Sequence, residues 1–302
     1  MSLNKPIYKL RDWVKPHIHK LNFNYLSENP YSIDLLNEYP DKINWFYLSY
    51  NDNAIPLLEK NPDKIDWYGI SGNSNAIHLI NKNLDNIDWF YLSENPNALE
   101  ILLDNIDKIN WSQLCINKND DILELLIDNQ HKINWFNLAI NSSPKAIEII
   151  KENLDKISWI NLSINTGAIS ILKENPDKIN YEWLSLNKNA ISILKENLDK
   201  IHWINLCYNQ NPEAIKLLYE NKNKIDWKIF SKNPSAIKVL EKNQDKINWG
   251  NLSNNPAIFQ LDYEKMRDNN LDIYEDLIKE VMKPSRVFKE RDYDYLEELF
   301  GD

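Results

Sequence analysis

Glycine is scarce in this chain, with five in 302 residues, and cysteine scarcer still, with two. No glycine-rich phosphate loop, nucleophile elbow or two-Cys plus two-His grouping is present, so neither catalytic residues nor a cofactor site is expected. Cys115 and Cys207 alone make no disulfide framework. Long apolar runs are also missing. None approaches the ~18 to 20 residues that span a bilayer, so no membrane partner is expected. The amino-terminal Met-Ser-Leu-Asn-Lys-Pro lacks the apolar core of a signal peptide, which together with the cysteine count points to an intracellular setting. Basic residues are the minority, 35 against 45 acidic, and no Lys/Arg stripe interrupts the formal charge of −10. Phosphate backbones are held by clustered cations, so no nucleic-acid partner is expected.

What is present is one pattern, repeated. Ile-Xaa-Trp and its variants mark the register with Trp45, Trp67, Trp89, Trp111, Trp135, Trp159, Trp203, Trp227 and Trp249, with Tyr181 in the missing place. Successive marks are 22 or 24 residues apart, and a degenerate copy, Leu21-Asn22-Phe23, precedes them. A fixed period in this range is the signature of a solenoid. The expected fold is all-α: a right-handed-type helical-hairpin solenoid of about ten 22–24 residue repeats, with an N-terminal cap over 1–20, the array over 21–258 and a helical C-terminal cap over 259–302.

Each unit reads as two short helices. In the copy from Asn95 to Trp111, an aliphatic helix starts at Asn95-Pro96 and carries Ala98, Leu99, Leu102 and Leu103 at helical spacing. It is expected to stop at Asn105 in a left-handed conformation, with Asn61, Asn83, Asn129, Asn153, Asn175, Asn197, Asn221 and Asn243 as equivalents, because Asn is the best substitute for the absent glycine. A Trp helix follows, capped by the Asn, Asp or Ser before each aromatic; His202 is the exception. The slot four after the aromatic is always small (Ser93, Cys115 and Ala139, for example), which implies close approach between repeats. Cys115 and Cys207 share this slot four repeats apart, roughly 30 to 40 Å, too far to pair.

Six residues after each aromatic stands an invariant Asn: Asn29, Asn51, Asn73, Asn95, Asn117, Asn141, Asn165, Asn187, Asn209, Asn233 and Asn255. A buried amide ladder between repeats explains this column better than a ligand row, since a site seldom needs one residue at every step. The two extra residues of the longer copies are placed in the loop that follows it, as in Asn141-Ser142-Ser143-Pro144. The recurrent Asp-Lys pair, as in Asp107-Lys108, reads as a solvated loop edge. His17 and His19 lack further ligands nearby, so no metal site is expected.

Function in a solenoid resides where copies differ. The positions one and five after the aromatic share a side of the Trp helix and carry Phe136 with Ile140, Ile160 with Ile164, Leu186, and Ile204 with Tyr208. Further on they become Lys228 with Lys232, then Gly250 with Asn254. The stripe is either an exposed groove for a protein partner or ordinary packing between repeats. At the ends, Trp13 stands outside the register, and beyond Ile258 a charged segment with helical periodicity runs over about 271–282, then an acidic stretch over 291–300.

The strings Asn-Pro-Asp-Lys-Ile-Asp-Trp at 61–67 and Trp-Phe-Tyr-Leu-Ser-Glu-Asn-Pro-Asn-Ala at 89–98 resemble the short tandem-repeat proteins of giant nucleocytoplasmic DNA viruses. The segment from Asp262-Tyr263-Glu264-Lys265-Met266 to Lys283-Pro284-Ser285-Arg286 is similar to their tails. Tyr181, His202 and the 24-residue copies depart from the pattern. The resemblance implies a viral origin, a helical repeat fold and no catalytic residues. The expected function is then a non-enzymatic scaffold with a host or viral protein partner, in the host cytoplasm or the virion; a self-associating structural component of the particle is the alternative.

Overall fold

The computed structural model describes residues 6–269, with Lys279 and Met282; the expected tail segments at 271–282 and 291–300 otherwise lie outside the described residues. The chain divides into a larger unit, Leu10–Phe259, and a smaller one, Met1–Lys9 with Gln260–Asp302. In the smaller unit, short strands pair around Tyr8–Leu10 and Phe259–Leu261, and Lys9 Nζ lies 3.1 Å from Asp262 Oδ1.

The larger unit is an all-α helical-repeat solenoid of eleven Trp-type helices, which begin at Phe23, Trp45, Trp67, Trp89, Trp111, Trp135, Trp159, Tyr181, Trp203, Trp227 and Trp249. The fourth repeat is representative: Trp helix Trp89–Glu94, aliphatic helix Leu99–Asp104, then a 3-10 turn at Ile106–Lys108. Helices of six residues cannot persist alone, so packing between repeats must hold them. The core is a column of fully buried side chains, among them Leu92, Ala98 and Leu102 in this copy.

Every Trp helix starts on a side-chain cap. Asp88 Oδ1, for instance, accepts from the N–H groups of Phe90 and Tyr91. His202 is no exception, because its Nδ1 accepts from the Asn205 N–H at 3.3 Å. An imidazole nitrogen with a free lone pair can do the work of an Asn oxygen.

The invariant Asn column is a ladder. Asn95 is fully buried; its Nδ2 donates to the carbonyls of Ser71 and Asn73, both at 3.0 Å, and its Oδ1 accepts from the Asn97 N–H at 3.0 Å. One amide thus satisfies two backbone groups of the preceding repeat and one of its own, which is why no isostere without both donor and acceptor occurs there. The small slot makes a second rung. Ser93 Oγ donates to the Trp89 carbonyl and accepts from the Asn110 N–H of the next repeat at 2.9 Å. Cys115 and Cys207 are buried free thiols in this slot, and Cys115 Sγ accepts from the Asn134 N–H at 3.3 Å. Burial pushes both thiols up to about 11.

Two expectations are corrected here. The Asn stops are not left-handed: Asn105 has φ −136° and ψ 48°, and no described residue has positive φ. The side chain performs the termination instead, with Asn105 Nδ2 donating to the Ile101 carbonyl four residues back at 2.9 Å while the chain passes straight into the 3-10 turn. The extra residues of the 24-residue copies enter the aliphatic helix, not the loop, giving Asp120–Asp128, Pro144–Lys151 and Pro212–Glu220. Side chains at Asn119, Ser143 and Asn211 cap these longer helices, whereas the short copies start without a side-chain cap, on Ser32 in the first and on an Ala such as Ala98 in the others. The Asp-Lys pairs are exposed as expected, and six of their seven lysines also lie over the aromatic that opens the same repeat, as Lys108 does over Trp89 at 4.8 Å. That contact is worth about 0.5–1 kcal/mol at an exposed site, and it covers a Trp column that is half-buried throughout.

The array closes on itself. Asn22 N–H donates to Ser253 Oγ at 2.8 Å, Asn29 Nδ2 to the Ser253 carbonyl at 3.3 Å, and Lys20 lies 5.3 Å over Trp249. These are the rungs found between any two consecutive repeats, here joining the eleventh to the first. The N-terminal segment expected as a cap supplies the missing half of the eleventh repeat. Val14 and Leu102 each stand nine residues before an aromatic, and both are fully buried. Arg11 N–H donates to the Ile258 carbonyl at 2.9 Å, where an intact repeat runs covalently from Ala98 to Leu99. In this register Trp13 is no stray aromatic: it takes the place of the buried Ile101 and packs on Trp249 with ring centroids 6.2 Å apart. Closure over eleven repeats requires a turn of about 33° at each, a small per-repeat rotation of the kind that curves solenoids generally.

Candidate functional site

The slots one and five after the aromatic are surface. Phe136, Ile140, Ile160, Ile204 and Tyr208 are exposed, Phe136 by 61%, while Ile164 and Leu186 are half-buried. Small residues beneath them let neighbouring Trp helices approach, and the Leu three after the aromatic turns inward to the core, which leaves these two slots facing out. The polar ending at Lys228, Lys232, Gly250 and Asn254 is therefore a change of surface and not of core.

The same slots in earlier repeats extend the stripe. Phe46, Tyr68 and Phe90 are exposed by 47, 58 and 43%. Trp-Phe-Tyr-Leu-Ser at 45–49 and 89–93 carries that signal in the sequence, outside the aliphatic copies of the middle repeats. These rings touch edge to face: Phe46 with Tyr50 at 5.5 Å, Tyr50 with Tyr91 at 6.2 Å, Tyr68 with Tyr91 at 6.4 Å. Tyr50 reaches from the second repeat over the third to the fourth, and this works because Gly69 lies beneath it. A Cβ at Gly69 would sit 2.9 Å from the Tyr50 ring. Burial, with a hydrogen bond to Tyr91, pushes the Tyr50 phenol up to about 12.

A groove of ≈ 530 Å³ runs across five consecutive repeats next to this aromatic patch. Its walls are the slots five and seven after the aromatic, including Tyr50, Asp52, Glu94, Ile116, Lys118 and Ile140. Of the seven stripe residues expected to bind a partner, only Ile140 lines it. Burial pushes the Glu94 carboxyl above its ordinary value, against the downward pull of Lys118. Among the described residues no group of three or more His, Cys, Asp or Glu side chains is placed to hold a metal ion, and no helix is long and apolar enough to cross a membrane.

The class so defined is a closed helical-repeat ring with a variable surface arc whose slots are mostly apolar or aromatic between the second repeat and the ninth, interrupted by Gly72, Glu94, Ser112 and Glu182. No family model, curated protein or solved structure matches the chain.

Proposed function

We propose that this protein is a non-enzymatic scaffold that binds a protein partner through the arc formed by the slots one and five after each aromatic. The observation that carries this reading is the run of large exposed side chains, Phe46, Tyr68, Phe90, Phe136, Ile160 and Ile204, at one repeat position where folding demands nothing apolar. The eleventh repeat holds Gly250 there and keeps the same cap and rung as the others. Exposed apolar surface that recurs at one repeat position, interrupted at Ser112 and Glu182, marks an interaction site. The repeat strings that resemble viral proteins support a host or viral partner in an intracellular setting.

The test replaces Ile140 and Ile164 with Asp and compares partner recovery with the wild type. An unchanged thermal midpoint with selective loss of one co-purifying protein supports the proposal; unaltered recovery, or unfolding without selective loss, counts against it. The same arc could instead mate with that of a second copy, since an isologous contact uses one patch twice. Mass measurement at micromolar concentration separates the two, because a monomer excludes self-association.

A further inference from the structure

Two of the five glycines lie in one Trp helix, Trp67–Gly72. Gly69 accommodates the Tyr50 ring, whereas Gly72 accommodates nothing. A Cβ there would meet no heavy atom nearer than Tyr91 Cβ at 3.7 Å and Glu94 Oε1 at 3.8 Å, which is ordinary contact, and its φ is not positive. The equivalent slots carry Ile116 and Ile140, a Cβ would fit at Gly72, and its omission leaves a notch in the groove wall. The notch lies against the Tyr91 Cβ and the half-buried Glu94, with Tyr50 in the same groove wall, and Glu94 is a carboxylate in no ion pair within 4 Å among the described residues. Asp52 adds a second negative charge to the wall against the single Lys118.

An aromatic ring in the same wall as a half-buried carboxylate is complementary to a planar, weakly hydrated cation that stacks and donates at once, which describes guanidinium better than ammonium. Five repeats at ~8 to 10 Å spacing make a groove roughly 35 to 40 Å long, the reach of about 11 or 12 extended residues. We infer that the groove holds an extended segment of the partner protein, with an arginine side chain seated in the notch at Gly72 between Tyr50 and Glu94 and apolar neighbours on Ile116 and Ile140. This assignment rests on the scaffold reading above and names the chemistry of its partner. The raised carboxyl of Glu94 agrees with it, because a bound cation relieves the cost of keeping that group charged.

The experiment uses the full chain and two pools of fluorescent dodecapeptides, randomised among Ile, Leu, Ala and Ser around a fixed central Arg or a fixed central norleucine, read by anisotropy. The Arg pool is expected to bind about tenfold more tightly. Gly72→Ile, which gives this slot the side chain that Ile116 and Ile140 carry in theirs, and Glu94→Gln are each expected to reduce it to the norleucine level at an unchanged melting temperature. Equal binding of the two pools, a preference that survives both substitutions, or no binding of either pool overturns the arginine assignment. If the pools bind equally and Ile140→Asp abolishes both, the arginine assignment falls while the scaffold reading stands.

Discussion

Ser253→Ala separates a closed ring from an open array. Ser253 Oγ donates to the Trp249 carbonyl at 2.9 Å and accepts from the Asn22 N–H at 2.8 Å. The second bond exists only if the last repeat meets the first. Its loss leaves a backbone donor without an acceptor in a part-buried interface, which costs about 1–3 kcal/mol. Ser163 occupies the same slot in mid-array, bonded to the Trp159 carbonyl at 2.8 Å and the Asn180 N–H at 2.9 Å. The two Ala variants should therefore lose stability equally, within about 0.5 kcal/mol. In an open array Ser253 has no downstream donor, and its variant loses only the bond to its own helix. The assay is urea unfolding followed by circular dichroism and tryptophan fluorescence, whose transitions must coincide before a single free energy is assigned. A Ser253→Ala variant within about 0.3 kcal/mol of wild type, beside a Ser163→Ala variant that loses more than about 1 kcal/mol, would refute closure.

Ala139 is the one slot in the middle of the array that lacks the rung, so Ala139→Ser should add about 0.5–1.5 kcal/mol; a destabilised variant in the same unfolding assay would mean the slot has no room for the hydroxyl. Cys115 and Cys207, buried and with thiols raised to about 11, should resist alkylation in the native protein at neutral pH and react only on denaturation; rapid native labelling would contradict their place in the rung. Trp135 is half-buried beneath Lys156, so Trp135→Ala should cost about 2 kcal/mol, less than the ~3 to 5 of a fully buried Trp; a loss above ~4 kcal/mol would place the column in the core.

The period, the helix caps and the Asn ladder are legible in the sequence because each is one residue type tied to one backbone need at every copy. Asn95 is readable as a ladder element since a buried amide must satisfy both its donor and its acceptor. What could not be read is geometry that accumulates. Closure depends on a per-repeat rotation that no single copy records, and Trp13 and Val14 look like a cap until Ile258 is seen to lack a continuation. The Asn105 stop misleads because Asn has two ways to end a helix, through its backbone or through its side chain, and composition does not choose between them. The groove was only partly visible for a related reason. Gly72 shows in the sequence as a missing side chain, and only the placement of Tyr91 and Glu94 makes that absence a notch.

The central claim, that eleven repeats form a ring closed by a composite last repeat, is tested most directly by the distance between spin labels at Asp12 and Asn254, measured by pulsed dipolar spectroscopy. The closed ring predicts about 10 to 20 Å, one or two helix spacings. An open array of ten steps at ~8 to 10 Å predicts roughly 80 to 100 Å, and a distance in that range would contradict the account.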